Sequence, residues 1–537
     1  MTVTYSGGGI SISVTDTRYN GGDPNVCTGS GHIDGAPSNA SSTMGPFQKA
    51  IHYAATNGIP TVTVPANSIC NFPYVMSNTS GASCFAIDLE NGVTIVGLGN
   101  DVINANVMGI QSSILPPNGC QTAWGQITQT DVFNVATNSY AAQYNHNGVG
   151  GFVSDATTAG QNKVFFTASH AESNFAVGNY VALFVQQATQ DGVGPCNDTC
   201  TMQANLVTAV DPVGHSITLQ DPLEYSFPSV GGTYPGPWIR VTPTTRHDVG
   251  VKNFTINTNI FPWQILEAWN VTMDSLTFNL QNCGACGGGI QDSDQWGVNT
   301  ALHWNLTNST LNWTRGGFKN NQETNQRESG YVLWQNVTIT QPAGDAGGWT
   351  SMSYAEHVFR TTYDNVTLTG LIPDSTGAQQ GAFLMGGSHN TLKNSHITLN
   401  ENFVTTGSGC GSPGACGIVV TSYGNLAPYE GRYTVTNNVV TDAADGHGSM
   451  IALVDSMNGA DVVSGNTTNI LSTSNGTTYG FFLYSPYTCF TVSGNTNSGG
   501  AGLGMSFTGA DSSCTISNNT GYVTYAGGSG CTKSNNK

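Results

Sequence analysis

The stretch WQNVTITQ, from Trp334 to Gln341, is followed 29 residues later by YDNVTLTG, from Tyr363 to Gly370. In both stretches an Asn is followed by aliphatic residues that alternate with Thr. Ten variants of this pattern occur after residue 245. Aligning them places ten residues at one turn position, namely Asn253, Ser275, Asn308, Asn336, Asn365, Asn394, Asn437, Gly465, Gly494 and Asn518.

The spacing of these turn positions indicates a stacked array of short repeats. Neighbouring positions are 22 to 43 residues apart, most often 28 or 29. Such repeats are too short for a βαβ unit, and they lack a helical period of apolar residues. Each contains two or three short strands, whose inward Val, Ile and Leu are buried only when coils stack. We therefore predict an all-β right-handed parallel β-helix, a solenoid with Asn stacked at one turn.

The regions outside the repeat predict a cap and an insertion. An amphipathic segment from about Met44 to Thr56 predicts a helix that covers the open end of the solenoid. Residues 150–240 break the period, and they contain segments that alternate as antiparallel strands do. The predicted domains are the cap and first coils at 1–148, an inserted antiparallel β lobe at 149–243, and the main coils at 244–537.

A second repeated segment, which precedes each turn, predicts where the functional site lies. It includes GGWTSMSYAEHVFR, from Gly347 to Arg360, which concentrates ionisable and aromatic residues in a chain with few charges. Aligned as one strand in successive coils, these segments place polar residues along one face of the solenoid. The predicted row contains Asp292, Asp294, Lys319, Glu323, Tyr354, Glu356, His357, His389, Tyr423, Asp455 and Tyr484.

The net charge restricts the partners of the protein. It is 14 − 32 = −18, and only 9% of the residues are charged, against about a quarter in ordinary domains. Nucleic acids and anionic membranes bind basic surfaces, so we expect neither as a partner. No apolar run approaches the roughly 20 residues of a membrane span, and the first residues are not a signal peptide. We expect a secreted, extracellular protein from which the signal has been removed.

The 13 cysteines predict disulfide bonds. Cys283 and Cys286 form a CxxC motif, but neither a second pair nor His ligands accompany it, as a zinc site requires. Disulfides formed in an oxidising compartment explain the cysteines better. Cys489 and Cys514 lie about one coil apart, and we predict that they form a bridge. The odd total leaves at least one thiol free.

Several N-terminal motifs resemble the pectate-lyase-like superfamily of right-handed β-helices and the phage depolymerases related to it. They are the pair Asp34–Gly35, FQKAIHYAA from Phe47, TVTVPAN from Thr61 and NGVTIVGLG from Asn91. The acidic cluster that usually follows the Asp-Gly pair is absent, because the chain reads APSNASST there. The resemblance implies that a carbohydrate polymer lies in a groove along the coils and is cleaved by hydrolysis or β-elimination, or is epimerised.

The carboxylates of the predicted row favour glycoside hydrolysis or transglycosylation. Hydrolysis needs one carboxylic acid and one carboxylate that acts as base or nucleophile. With coils about 4.8 Å apart, Glu323 and Glu356 are expected about 5 Å apart, which is the retaining geometry. Asp294 and Glu356, two coils apart, are expected at about 9 to 10 Å, near the inverting range. Asp292 is a further candidate acid, and His357 a candidate proton relay.

Aromatic and basic residues near the row predict how a sugar chain is held. Seven of the nine Trp lie between Trp263 and Trp349, and their rings can stack on the apolar faces of sugars. Trp304 and Trp334 lie in strands and are expected in the core instead. The predicted substrate-binding residues are Trp296, Trp313, Trp349, Tyr354, Lys319, His389, Arg360 and Tyr423.

Two other functions remain open at this point. A polysaccharide lyase or epimerase needs a base beside a cation that neutralises a uronate carboxylate, and Arg315, Lys319, Arg327, Arg360 and Lys393 are candidates. A glycan-binding adhesin or spike needs no catalytic residue. No metal site or required cofactor is predicted, although the acidic row could bind calcium. The expected partner is a neutral or lightly charged polysaccharide or oligosaccharide, and the chain is a monomer or a homo-oligomer.

Overall fold

The computed structural model describes most of the chain, with gaps between the ranges. The described residues are 3–4, 10–38, 42–77, 84–107, 130–135, 149–153, 158–166, 171–185, 201–226, 238–242, 245–280, 297–299, 301–313, 325–327, 329–340, 353–370, 381–399, 416–421, 431–442, 451–454, 460–470, 481–484, 490–498, 504–508, 514–523 and 531–537. Strands are numbered below in chain order.

An α-helix and the first eight strands form the cap and the first coils. Helix α1 (Pro46–Thr56) begins with Pro, which suits the first helical position, and buries Phe47, Ala50, Ile51 and Ala54 on one side. The helix predicted from about Met44 to Thr56 is therefore present. The strands are β1 (Val3–Thr4), β2 (Ile10–Ser13), β3 (Thr61–Val64), β4 (Ile69–Asn71), β5 (Met76–Ser77), β6 (Cys84–Asp88), β7 (Thr94–Ala105) and β8 (Thr130–Val135).

An antiparallel lobe is inserted between β8 and the main coils. Its six strands pair in the order β10-β13-β12-β11-β14-β9, and a short 3₁₀ helix spans Ala171–Asn174. Its core contains Val181, Leu183, Val207 and Ile217. The strands are β9 (Gly150–Phe152), β10 (Lys163–Phe165), β11 (Tyr180–Val185), β12 (Thr201–Asp211), β13 (Ser216–Leu219) and β14 (Trp238–Val241).

The first main coils contain long strands that bend at the Asn turn, so that one strand contributes to two faces of the solenoid. In β15 the bend is at Asn253, where φ is +64°. The strands are β15 (Arg246–Thr258), β16 (Phe261–Leu266), β17 (Ala268–Leu280), β18 (Gly297–Asn299), β19 (Leu302–Thr307), β20 (Thr310–Trp313), β21 (Asn325–Arg327), β22 (Leu333–Thr340), β23 (Ser353–Phe359), β24 (Thr362–Gly370) and β25 (Gly381–Ser388).

In the later coils the same turn separates two short strands. The strands are β26 (Thr391–Lys393), β27 (His396–Leu399), β28 (Cys416–Thr421), β29 (Thr434–Thr436), β30 (Val439–Asp442), β31 (Ile451–Val454), β32 (Asp461–Ser464), β33 (Thr467–Ile470), β34 (Phe481–Tyr484), β35 (Phe490–Ser493), β36 (Thr496–Ser498), β37 (Gly504–Thr508), β38 (Cys514–Ser517), β39 (Tyr522–Val523) and β40 (Cys531–Ser534).

Two large sheets follow from this arrangement, and they make the chain the predicted right-handed parallel β-helix. A 13-stranded sheet runs β39-β37-β34-β31-β28-β25-β23-β21-β18-β16-β8-β6-β5, and a 21-stranded sheet forms the two faces on either side of the Asn turn. Within the main coils all pairings are parallel, for example between β22 and β24 and between β23 and β25. The described parts of the segments predicted to carry the site, from β23 to β37, belong to the 13-stranded sheet.

Stacked apolar columns hold the coils together. Each column takes one buried residue from each coil, and truncating such a residue typically costs about 2–5 kcal/mol. Because the strand period is two, the residues between them face outward. One inward column is Val251, Met273, Leu306, Trp334, Tyr363, Leu392, Val435, Val463, Val492 and Ile516, each at most 1% exposed.

The Asn turn column is confirmed at all ten aligned positions. Every one has positive φ, and strand pairing places each beside the next. Asn336 donates to Asn308 over 2.8 Å, and Asn365 donates to Asn336 over 2.8 Å. A second, buried ladder one residue later escaped the sequence analysis. It joins Asn438, Asn466, Asn495, Asn519 and Asn536 at 2.9–3.0 Å.

Two disulfides join described cysteines, Cys27 to Cys70 and Cys514 to Cys531. The predicted bridge between Cys489 and Cys514 is therefore wrong, because Cys514 bonds to the next strand in the stack, β40, instead. The CxxC motif lies outside the described residues.

Within the described ranges, no helix has the length and apolar character needed to cross a membrane.

Candidate functional site

Strand β23 carries the stretch that the sequence analysis singled out, and its pairing is irregular there. Ala355 pairs with Met385 and Val358 with Gly387, so Glu356 and His357 together oppose a single residue of β25. Such a two-for-one arrangement is a β-bulge, a feature enriched next to active sites because it changes the direction of side chains. Gly387, with φ +121°, is required here because a side chain would collide with the carbonyl of Val358.

The register of this sheet corrects one expectation about the site. On the other side of Glu356 the paired residue is Arg327 of β21, and Arg327 pairs in turn with Asn299 of β18. Glu323 was expected in that position, but it precedes Arg327 by four residues. The spacing between repeats varies along the sequence, so aligning the Gly-rich segment before β21 with the one before β23 gave the wrong register.

Most of the other predicted site residues lie outside what the structure describes. For four of these residues the structure describes the backbone, within a strand, but not the side chain. For the remaining seven it describes neither the backbone nor the side chain. The four are Glu356, His357, Tyr354 and Trp313. The seven are Asp292, Asp294, Glu323, Trp296, Trp349, Lys319 and Tyr423.

The two remaining predicted residues, Arg360 and His389, belong to a second column of turns. This column follows the 13-stranded sheet, one residue per coil, and all its members have φ between +49° and +64°. Strand pairing on both sides places them in register. The second turn column consists of Asp248, Asn270, His303, Tyr331, Arg360, His389, Arg432 and Ala460.

A carboxylate of the lobe, Glu224, binds this column. Its side chain is fully buried, and Arg360 Nε donates to Oε2 over 2.6 Å. Ser388 Oγ donates to Oε1 over 2.7 Å, and His389 Nδ1 donates to the same oxygen. Burial alone raises the pKa of this carboxyl, but the hydrogen bonds from His389 and Ser388 and the charge of Arg360 lower its pKa below the ordinary value.

The contact with Glu224 indicates a structural role for Arg360 and His389. Arg360 was predicted to bind substrate, but its described ion pair is with the lobe. His389 contacts Glu224 through Nδ1, and Arg432 Nη1 lies 3.0 Å from its Nε2. Both side chains therefore fasten the lobe to the coils.

A second contact between lobe and column lies two coils earlier. Asp221 of the lobe is 2.9 Å from Nε2 of His303, whose ring stacks on Tyr331 with centroids 5.0 Å apart. Leu223 and Tyr225 continue the contact into an apolar cluster with Trp269, Leu302 and Phe359 of the coils. The sequence analysis missed Asp221 and Glu224. They are two acids within the otherwise apolar segment DPLEYSF, and in a chain with so few charges such a pair could have indicated a functional or structural contact.

Another buried network joins the cap, the first coils and the start of the main coils. Asp88 accepts hydrogen bonds from Asn134 and Arg246, each over 2.8 Å. Burial raises the pKa of Asp88 to about 6 despite Arg246. Gln48 of α1 donates to the backbone of Asp88 and to Glu90. Since the Asp88 and Arg246 side chains are only 19% and 15% exposed, we assign this network a structural role.

Of the tryptophans whose side chains are described, Trp263, Trp269, Trp304 and Trp334 are buried, and Trp238 is half-buried. Trp304 packs between Trp263 and Trp334 with ring centroids 5.8 and 5.7 Å away, and all three are at most 1% exposed. The expectation that Trp304 and Trp334 are core residues is confirmed. Among the side chains that the structure describes, no group of three His, Cys, Asp or Glu is placed to hold a metal ion.

No protein-family model matches the chain, and no curated protein sequence does. Solved structures similar to it include the tailspike protein of Pseudomonas phage LKA1, with 12% identity and a TM-score of 0.48, covering 91% of this chain and 78% of that one. The surface adhesin PfbA of Streptococcus pneumoniae is 11% identical, with a TM-score of 0.48 and coverage of 98% and 97%.

A third similar structure is a mutant tailspike protein of E. coli bacteriophage HK620 in complex with a pentasaccharide. It is 10% identical, with a TM-score of 0.43, and covers 99% of this chain and 70% of that one. Likenesses at this level concern the fold, and no argument about activity rests on them.

Proposed function

We propose that the protein is an extracellular carbohydrate-active enzyme that cleaves a polysaccharide lying along the 13-stranded sheet. The observation that carries this proposal is the β-bulge at Glu356 and His357, which interrupts the pairing of β23 with β25. A carboxylate and an imidazole at a bulge are the residue types that general acid–base chemistry uses. The disulfide bonds support an oxidising, extracellular location.

Hydrolysis is the reaction that we assign first. Glu356 acts as one of two carboxyl groups, as acid or as base or nucleophile, and water adds across the glycosidic bond. Asp292, Asp294 and Glu323 are the candidates for the second carboxyl group, and His357 for a proton relay. Trp296, Trp313, Trp349 and Tyr354 are proposed to stack on sugar rings. No cofactor is needed for this chemistry, and calcium is kept as a candidate only for substrate binding.

β-Elimination is a second candidate, and one specific observation favours it. The residue paired with Glu356 in the neighbouring coil is Arg327. Elimination needs a base that removes the proton alpha to a uronate carboxylate and a cation that stabilises the resulting charge. Glu356 and Arg327 are residues of these two types on adjacent strands. A uronate polymer is the substrate that this alternative requires.

The experiment that tests the proposal is a panel of neutral and uronate-containing polysaccharides, scored together for new reducing ends and for the ultraviolet absorbance of unsaturated uronate. Reducing ends without that absorbance support hydrolysis. Reducing ends with it support elimination by Glu356 and Arg327. If no polymer in the panel is cleaved while one is bound, the enzyme proposal is wrong and a glycan-binding protein remains.

A further inference from the structure

A different face of the solenoid carries two columns of residues that are polar except for Val439. This face belongs to the 21-stranded sheet and is formed by the strands that follow the Asn turn. We call it the polar face and define it by two outward columns. The first is Asn71, Asn104, Asn257, Asn279, Asn312, Thr340, Thr369, Thr398, Thr441, Asn469 and Ser498. The second is Thr255, Thr277, Thr310, Thr338, Thr367, His396, Val439, Thr467 and Thr496.

The composition of the polar face limits what it can bind. Neither column contains Asp, Glu, Lys or Arg. A nucleic acid or another polyanion needs cations to replace its counterions, and this face offers none. A helix or strand of a protein partner is usually anchored by large apolar or aromatic side chains, which these positions lack as well. The chemistry available is that of amides, hydroxyl groups and Thr methyl groups.

The first column begins with a ladder of Asn side chains whose amide groups are only partly used by the hydrogen bonds between them. Asn104 donates to Asn71, Asn257 to Asn104, and Asn279 to Asn257, over 3.0, 3.0 and 2.9 Å. Asn312 continues the ladder to Asn279 over 3.2 Å. An amide has two N–H groups and two acceptor sites, so each inner member keeps one of each. The ladder therefore presents a spare donor and a spare acceptor at each of its three inner members, Asn104, Asn257 and Asn279.

An open groove runs along the start of this ladder. It is lined by Asn71, Pro73, Asn104, Asn106 and Asn257 and has a volume of about 460 Å³. That volume is in the range of about 300–1,000 Å³ found for ligand sites. Its walls are amides and a proline ring, which combine hydrogen-bonding groups with a flat apolar surface.

We propose that the amide ladder and the groove beside it are a docking strip for an uncharged polysaccharide chain that lies along the solenoid axis. Neighbouring coils are about 4.8 Å apart, so the chain meets a new donor and acceptor at intervals comparable to the length of one sugar. Sugar hydroxyl groups both donate and accept, which matches the reserved capacity of each amide. An uncharged chain also brings no charge that the face would have to neutralise.

The docking strip goes beyond the proposed cleavage site and does not depend on it. It lies on the 21-stranded sheet, whereas Glu356 lies on the 13-stranded sheet. A strip of this kind would hold a long polymer near the protein while another part of it is cleaved, and so raise its local concentration. The strip therefore predicts a preference for long chains over short oligosaccharides.

The test is affinity gel electrophoresis of Glu356→Gln protein in gels that contain hydroxyethylcellulose, galactomannan, dextran or polygalacturonate. Glu356→Gln prevents cleavage during the run. The test variant adds Asn104→Thr, Asn257→Thr and Asn279→Thr, which fit the strands because Thr occupies this column in later coils. The matched control adds Asn308→Gly, Asn336→Gly and Asn365→Gly, which remove three amides of the Asn turn column where φ is positive.

We expect at least one neutral polymer to retard the parent protein, and the Thr variant to bind it about tenfold or more weakly. The Gly control is expected to bind like the parent. Equal retardation of the Thr variant and the parent, or no retardation by any neutral polymer, overturns the proposal. Self-association that is lost only in the Thr variant assigns the face to a second copy instead. Retardation by a neutral polymer that the wild type binds but does not cleave contradicts the proposed function and leaves the docking strip standing.

Discussion

The two turn columns of the solenoid share a backbone conformation but hold different kinds of side chain. In the Asn turn column φ lies between +50° and +66°, and nine of ten residues are Asn or Gly. In the second turn column φ lies in almost the same range, yet four consecutive coils contribute Tyr331, Arg360, His389 and Arg432. The left-handed conformation costs such bulky residues about 1–2 kcal/mol each, whereas Gly tolerates it freely and Asn visits it routinely.

This difference shows that the residues of the Asn turn column suit the backbone conformation of their turn, whereas those of the second turn column are present for the contacts of their side chains. The Asn turn column pairs with itself along an exposed edge, as Asn308, Asn336 and Asn365 do. The second turn column contacts the lobe, through Arg360, His389 and the buried Glu224. Residues that do not suit a left-handed turn persist where their contacts outweigh the strain. We therefore regard the second turn column as the attachment surface of the lobe.

The largest effect is expected from Glu224→Gln, which removes the carboxylate that three side chains of the coils bind. Breaking a buried ion pair typically costs about 3–5 kcal/mol, and partial exposure of Arg360 and His389 lowers this to about 2–3 kcal/mol. Hydrogen exchange should therefore show about 100-fold less protection of the lobe amides in Tyr180–Val185 than in the wild type. Unchanged protection would contradict the attachment role.

The matched control for that change lies beside the Asn turn column. Asp364 is 3.4 Å from Lys393 and accepts from Asn394 at the surface. Exposed ion pairs contribute about 0–1 kcal/mol, so Asp364→Asn should leave the lobe amides protected as in the wild type. A loss as large as that of Glu224→Gln would mean that the lobe responds to any charge change in the coils.

A smaller effect is expected when pH is lowered. The pKa of Glu224 is lower in the folded protein than in the unfolded chain, so its contribution to stability is present above the unfolded value and is lost as pH falls through the folded value. Protection of the lobe amides should therefore decline in acid, below the ordinary pKa range of Glu. The decline should be absent in Glu224→Gln. A decline of the same size in the variant would assign the effect to another group.

The smallest effect is expected when a residue of each turn column is replaced by Gly and the two changes in stability are compared. Arg360→Gly relieves a strained turn but removes an ion pair to Glu224, and we expect a net loss of about 1 kcal/mol, seen as about fivefold weaker protection of the lobe. Asn336→Gly should change stability by only a few tenths of a kcal/mol, because glycine suits the turn and the amide is exposed. Equal effects in the two columns would remove the distinction between them.

The sequence predicted the coils better than it predicted the contacts between distant segments. The Asn turn positions from Asn253 to Asn518 could be aligned because each coil repeats the same local chemistry at a similar spacing. The buried ladder from Asn438 to Asn536 repeats in the same way, in the pairs Asn-Asn and Gly-Asn, and could have been found. Its residues were overlooked because each directly follows a turn position that already explained an Asn.

The site was harder to predict for physical reasons. The attachment of Glu224 to His389 joins residues 165 positions apart, and no local pattern records such a contact. The register at Glu356 depends on where β21 begins, and the varying spacing between repeats in the sequence conceals that point. The repeats determine which residues are buried inside the coils, whereas the segments between repeats and the inserted lobe determine which residues lie around the candidate site. The residue types at the site were therefore readable, and their neighbours were not.

The most direct test of the central claim compares the wild type with Glu356→Gln for both binding and cleavage of a polymer that the wild type degrades. We expect unchanged affinity and a rate of cleavage that is lower by about 10²–10⁴-fold, because the amide cannot transfer the proton. Glu90→Gln, the same chemical change in the cap, should cleave like the wild type. If Glu356→Gln cleaves the polymer at the wild-type rate, the bulge on β23 is not the catalytic site and the account is wrong.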